Sequence, residues 1–221
     1  MIYKFLPLQS VAVPELKFEN KVSLDSDSTA LIIVDMQNDF VREDGSLFVP
    51  AAKETIGNIH NLLSEARKQN VKVVYTQDTH LDGDKEWEIW PRHCKKGSSG
   101  WQIINELKPA DHDLIIEKNR YDGFYETPLE HYLSHIWNIK NLVITGTVSN
   151  ICVAHTAASA GLRWYNLVIP ADGISSLTEF DHVMTLRQVS TLYSGKIVQN
   201  CNDITFTSLW TDYSIICIWS K

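Results

Sequence analysis

Residues 142–153, LVITGTVSNICV, decide how this chain is read. LVIT is a short unbroken apolar run, the pattern of a strand covered on both faces of a sheet. The Gly, Thr, Ser and Asn that follow are turn residues. From about Asn150 to near Trp164 the chain reads as a helix with small residues on one side. Cys152 thus falls in the first turn of a helix, just past the carboxyl end of a strand. Unpaired N–H groups at a helix start carry partial positive charge, which favours thiolate over thiol. The same groups suit the oxyanion that forms when a thiolate attacks a carbonyl. Free cysteines are also common as small buried core residues, and this segment alone accommodates both readings.

Outward from that stretch, strand and helix alternate. Strands are expected at TALIIVD (29–35), VKVVYT (71–76), DLIIE (113–117), 141–145, 166–169 and 196–199. Helices are expected at 50–70, 127–137 and 179–193, with a short one at 101–107. The first carries Ile56, Ile59, Leu62, Leu63 and Ala66 at helical spacing. Thr127-Pro128 supplies a capping hydroxyl and a first-turn proline for the second. The alternation predicts an α/β fold, a three-layer αβα arrangement around a doubly wound, mainly parallel sheet of about six strands. Residues 1–28, Pro-punctuated and ending in SLDSDS, read as an N-terminal arm; 29–200 as the domain. Residues 201–221 read as a C-terminal extension on the domain or an oligomer partner, with Ile215, Ile216, Cys217, Ile218 and Trp219 as its apolar part.

Composition excludes several classes. A net charge of −7 without a dense basic run argues against nucleic acid. No run approaches the ~20 apolar residues of a membrane span, and the N-terminus has no secretory pattern. Four scattered cysteines form no disulfide framework, so a reducing cytoplasm is the expected location.

Ligands in such sheets bind beyond the carboxyl ends of the strands. The first strand ends in Asp35, the second leads to Asp78 and His80, the third ends at Lys118, and the fourth delivers Cys152. A thiol nucleophile needs a base and a donor set. Asp35 as acid/base and Lys118 as the cation holding both anions meet that need, although a turn aspartate and a surface lysine are the commoner roles. The long polar stretch 77–100 is too long for a connector. Asp78, His80 and His93 offer donors that suit Zn2+ or another first-row divalent ion. Glu86 is a fourth candidate, and Asp82, Asp84 and Glu88 compete for its place. Cys94 would crowd His93. A solvated loop with these residues remains the alternative.

The pieces LIIVDMQNDF (31–40), TQDTH (76–80), EWEIWPRHCKKGSSG (86–100), EKNRYDGF (117–124), GTVSNICVAHTAASAGL (146–162) and VIPADGISS (168–176) resemble the isochorismatase-like cysteine hydrolases, and among them most the nicotinamidases. The resemblance spans 29 to about 200. It implies a catalytic triad of Asp35, Lys118 and Cys152, and an oxyanion hole from the backbone N–H groups of Val148 and Cys152. A cis peptide at Thr147–Val148 is also implied. Asp78, His80 and His93 would ligate one divalent metal, Zn2+ first with Fe2+ or Mn2+ as alternatives, and Glu86 stands where some members place a fourth ligand. Phe40 and Trp90 would sandwich a pyridine ring beside Tyr121. The implied activity is hydrolysis of a small carboxamide, nicotinamide foremost, through a thioester. The run RYDGFYETPLEHYL and the segment after Cys152 look at least as much like members acting on carbamoyl or ureido compounds, and residues 1–28 exceed the short N-terminus usual in nicotinamidases. A non-catalytic binding protein is the remaining class, and the intact Asp35, Lys118 and Cys152 count against it. The expected partners are a small amide and other copies of the chain, with neither nucleic acid nor membrane.

Overall fold

The computed structural model describes residues 13–208. The apolar residues at 215–219 and the first part of the expected arm lie outside them. Nine strands occur in chain order: β1 (Val22–Asp25), β2 (Thr29–Val34), β3 (Lys72–Asp78), β4 (Leu114–Lys118), β5 (Asn141–Thr147), β6 (Asn166–Pro170), β7 (Ile174–Ser175), β8 (Lys196–Val198) and β9 (Ile204–Thr207). The main sheet has the order β4-β3-β2-β5-β6-β8, with β7 beside the end of β5. Every pair in it is parallel. It holds seven strands where the sequence suggested about six, because Ile174–Ser175 is too short a run to announce a strand.

Alternation along the strands divides the core. Leu31 and Ile33 of β2 face one side with Val73, Tyr75 and Val143, and that side is covered by helix α2 (Ala52–Lys68) through Ile59, Leu62, Leu63 and Ala66. Ala30, Ile32 and Val34 face the other with Ile116 and Ile144. That side is covered by α3 (Ala154–Leu162) and α4 (Glu179–Leu192), through Ala157, Ala160, Leu186 and Val189. Burying both faces is why the strands read as continuous apolar runs. A one-turn helix, α1 (Asn38–Val41), follows β2.

Three expected elements differ. The helix at 127–137 is shorter, and His131–Ile136 is a widened π-type turn. Only Asn105–Leu107 is helical within 101–107, as a 3-10 turn; Trp101 and Ile103 instead pack on the α2-side core. Strands β1 and β9, from the two segments assigned to the arm and the extension, pair in parallel as a separate two-stranded sheet. Val22, Leu24, Ile204 and Phe206 bury one face of that sheet on the α2-side core.

Because the main sheet is parallel, its carboxyl ends share one edge. Strand order reverses direction between β2 and β5, where adjacent loops diverge and leave a crevice. Gly146 is essential to that junction: its φ is +112°, and a Cβ there would sit 2.1 Å from the Val34 carbonyl oxygen.

Candidate active site

The carboxyl ends of β2, β3, β4 and β5 each deliver one ionisable group to the crevice. Asp35 follows β2 with φ 49°, a left-handed conformation that an aspartate tolerates better than most residues. The Gln37 N–H donates to the Asp35 carbonyl at 2.7 Å and closes a tight turn. Asp78 and Lys118 are register partners on β3 and β4. Cys152 sits in the turn Ser149–Val153, which is a π-type turn rather than the first α turn of α3, with Val153 N–H donating to the Val148 carbonyl. The Thr147–Val148 peptide before it is cis, as the resemblance implied.

The structure brings Asp35, Lys118 and Cys152 together. Lys118 Nζ lies 2.8 Å from Asp35 Oδ2, 3.1 Å from Asp78 Oδ1 and 3.5 Å from Cys152 Sγ. The ammonium and both carboxylates are buried. A lysine at a strand end reads as surface; here the two carboxylates hold its charge inside the protein. Thr76 Oγ1 donates to Asp35 Oδ1 at 2.6 Å. Oδ2 is held by the Lys118 ammonium at 2.8 Å and keeps a second lone pair that can accept a proton.

Burial sets the resting protonation. It pushes the Cys152 thiol well above its usual range; Lys118 opposes that shift, while Asp35 and Asp78 add to it. The pull of the turn's N–H groups toward thiolate is thus opposed by burial and by two carboxylates. Two buried carboxylates already oppose one ammonium, and a third anion is disfavoured until a proton moves to Asp35. Burial also raises Asp35, against the pull of Lys118. Burial disfavours the Lys118 charge too, but Asp35, Asp78 and Cys152 outweigh it and keep the ammonium protonated.

Asp78 has a second role. Burial would raise it, but Lys118, His80 and His93 outweigh burial and hold it below the usual carboxylate range. Its Oδ2 lies 3.0 Å from His80 Nε2 and 3.3 Å from His93 Nε2. Glu86 Oε1 lies 3.9 Å from each of those nitrogens. One donor atom from each of Asp78, His80, Glu86 and His93 falls within 4.8 Å of the others.

The donor set fits a divalent ion. His93 Nδ1 is 2.7 Å from the Pro91 carbonyl, an acceptor, so that nitrogen carries the proton and Nε2 can present its lone pair inward. Asp84 Oδ2 does the same for His80 Nδ1 at 2.9 Å. Burial alone would lower His80, yet Asp78, Asp84 and Glu86 raise it to about 9. The cluster thus demands positive charge. Among the competitors, Asp84 stands behind His80, Asp82 pairs at the surface with Arg92 and Lys95, and Glu88 is outside the cluster. Cys94 is buried, with its N–H on Asp39, and supplies no donor to the cluster.

A cleft of about 440 Å3 opens onto the sulfur, lined by Phe40, Trp90, Tyr121, Val148, Asp78, Glu86 and His93. Trp90 Nε1 donates to the Tyr121 hydroxyl at 2.9 Å, which fixes the two rings relative to each other. Leu47, Val49, Ile151 and Leu177 complete its wall; sequence reasoning missed them because ordinary aliphatic residues carry no chemical signal. It also missed Gln37, whose amide donates to the Asp78 carbonyl and accepts from the Asp78 N–H, both at 2.8 Å. The run LIIVDMQNDF contained it.

The isochorismatase domain matches residues 29–202, and the chain belongs to this family of hydrolases. It is similar to a ureidoacrylate amidohydrolase of Methylorubrum extorquens, at 30% identity over 68% of this chain and 71% of that protein. Among solved structures it is similar to N-carbamoylsarcosine amidase from Thermoplasma acidophilum, with 32% identity, TM-score 0.71, and coverage of 77% of this chain and 95% of that one. It is likewise similar to nicotinamidase from Bacillus subtilis, with 28% identity, TM-score 0.73, and coverage of 78% and 100%.

Proposed function

We propose that this hydrolase cleaves a small neutral aromatic carboxamide, nicotinamide foremost, to the acid and ammonia through a thioester on Cys152. The observation that carries the reading is the cleft itself. Phe40, Trp90 and Tyr121 form an aromatic slot beside the four-donor cluster, and among the described residues no Arg and no Lys lines it. A flat uncharged ring suits such a slot; a substrate carboxylate would find no side-chain counter-ion.

Asp35 takes the proton of the Cys152 thiol, and the sulfur attacks the carboxamide carbon. The carbonyl oxygen, now negative, accepts hydrogen bonds from the Val148 and Cys152 backbone N–H groups. Lys118 stays protonated throughout and balances the negative charge as it passes between sulfur and Asp35. The tetrahedral intermediate collapses, the C–N bond breaks, and Asp35 returns its proton to the nitrogen, which leaves as ammonia. Water then attacks the thioester with Asp35 as base; the acid departs and the proton returns to the sulfur. Asp78, His80, His93 and Glu86 would hold one divalent ion, for which the histidine and carboxylate donors favour Zn2+ over Fe2+ or Mn2+. When bound, that ion supplies a Lewis-acid position for a ring nitrogen. A reducing cytoplasm suits a mechanism that needs a free thiol.

The carbamoyl and ureido amidohydrolases among the similar proteins support a second reading with the same triad. An ammonia-release assay across nicotinamide, pyrazinamide, N-carbamoylsarcosine and ureidoacrylate separates the two, with metal content measured on the same sample. Preference for the two carbamoyl compounds, or full turnover in chelated protein, would overturn the nicotinamidase reading.

A further inference from the structure

At the opposite edge of the main sheet, where the strands begin, lies a larger groove of about 1330 Å3. The ends of α3 and α4 wall it, Asn141 and Asn166 floor it, and Ser23 to Asp25 of β1 form a rim. Leu24, Tyr165, Leu167 and Val168 are buried in its floor and sides, but three of its apolar side chains stand in solvent: Leu162 is 72% exposed, Leu192 64% and Trp164 91%. Trp164 follows the last turn of α3 with φ 67°, a position where helix ends favour glycine. An indole held in that conformation and left uncovered calls for an occupant.

The chain itself leads there. Strands β1 and β9 run parallel, with Asp25 opposite Thr207, so the chain leaves β9 at the groove's rim. The residues beyond, LWTDYSIICIWSK (209–221), include three isoleucines and two tryptophans. Thirteen residues at ~3.3 Å each reach about 40 Å, far enough to cross from one wall to the other. We propose that residues 209–221 pack intramolecularly into this groove and cover Leu162, Trp164 and Leu192. The groove lies on the edge away from Cys152, so the proposal is independent of the substrate assigned above.

Cys217 provides the test, since Cys94, Cys152 and Cys201 are buried. In the full-length protein, Leu162→Cys and Leu192→Cys are made singly, at the ends of α3 and α4, and each is mildly oxidised. A disulfide to Cys217 in at least one variant, within a single chain by mass, is the expected result. Deleting 209–221 should raise amide hydrogen exchange at 23–25 and 161–166 at least tenfold. Disulfide-linked dimers alone would overturn the proposal in favour of a second copy's segment. Loss of protection on removing 1–12 but not 209–221 would overturn it in favour of the N-terminal residues. Failure of both variants to cross-link, with exchange unchanged by the deletion, would overturn it outright.

Discussion

Replacing Lys118 by methionine keeps most of the side-chain volume and deletes one buried charge. At an effective dielectric constant of 20, its attraction to Asp35 over 2.8 Å is about 6 kcal/mol, and to Asp78 over 3.1 Å about 5 kcal/mol. Removing the ammonium also removes its own burial cost, so the net loss should settle at about 3–5 kcal/mol, the range for orphaning a buried ion-pair partner. Asp35 already binds its proton more tightly than an exposed carboxyl, because of burial. Without Lys118 it should bind that proton more tightly still. A carboxyl whose folded pKa is raised stabilises the fold at low pH, and that contribution is lost as pH rises through the folded value. Asp78 in the parent is depressed, so its contribution is present at neutral pH and lost in acid. The Asp35 effect makes the gap between parent and variant widest at pH 8 and narrower at pH 5, whereas the Asp78 contribution is fully present at both and is lost only in stronger acid. A protonated Asp35 has no room for the thiol proton, so turnover should fall roughly 10^2–10^4-fold. Urea melts at the two pH values and ammonia release at pH 8 measure these quantities. A variant within about 1 kcal/mol of the parent at pH 8, or a gap that widens in acid, would refute the electrostatic reasoning.

Cys152→Ala should abolish ammonia release while shifting stability by no more than ~1 kcal/mol, since it deletes one neutral buried sulfur; measurable turnover by the folded variant would sink the nucleophile assignment. In chelator-treated protein, iodoacetamide should alkylate Cys152 slowly at pH 7 and about tenfold faster per pH unit up to pH 9, because burial keeps the thiol protonated. A rate that levels off below pH 8 would point to a resting thiolate. Asp84→Asn should weaken divalent-metal affinity about 10–100-fold by releasing the His80 ring, as read by competition with a chromogenic chelator. Unchanged affinity would mean His80 is held by something else.

The central strands were legible because burial on both faces writes them as unbroken apolar runs, as in LVIT and TALIIV, whereas LIIE at the sheet's edge leaves Ile115 exposed and was read from its apolar run alone. Asp35, Lys118 and Cys152 were legible as a set because parallel strands bring their carboxyl ends to one edge. Individually they were not: nothing in EKNRYDGF announces that Lys118 is sealed between two carboxylates. The opposition to a Cys152 thiolate was not legible because a helix start is a local signal, whereas the desolvation and the negative neighbours around the thiol come from β2 and β3. The β1–β9 pair escaped notice because four-residue strands from opposite ends of the sequence have no local signature. The widened turn at 149–153 resembles an ordinary helix start in composition, and only the i to i+5 hydrogen bond distinguishes it.

Asp78 spends one oxygen on Lys118 and the other on the histidine cluster. Any cation drawn to the second oxygen withdraws electron density from the first, and so loosens the grip on the ammonium that faces Asp35 and the sulfur. Occupancy at one position and proton affinity at the other are then variables of a single equilibrium, joined through one carboxylate. By thermodynamic reciprocity, whatever factor ion binding applies to the acidity of the thiol, loss of the thiol proton must apply to the affinity for the ion.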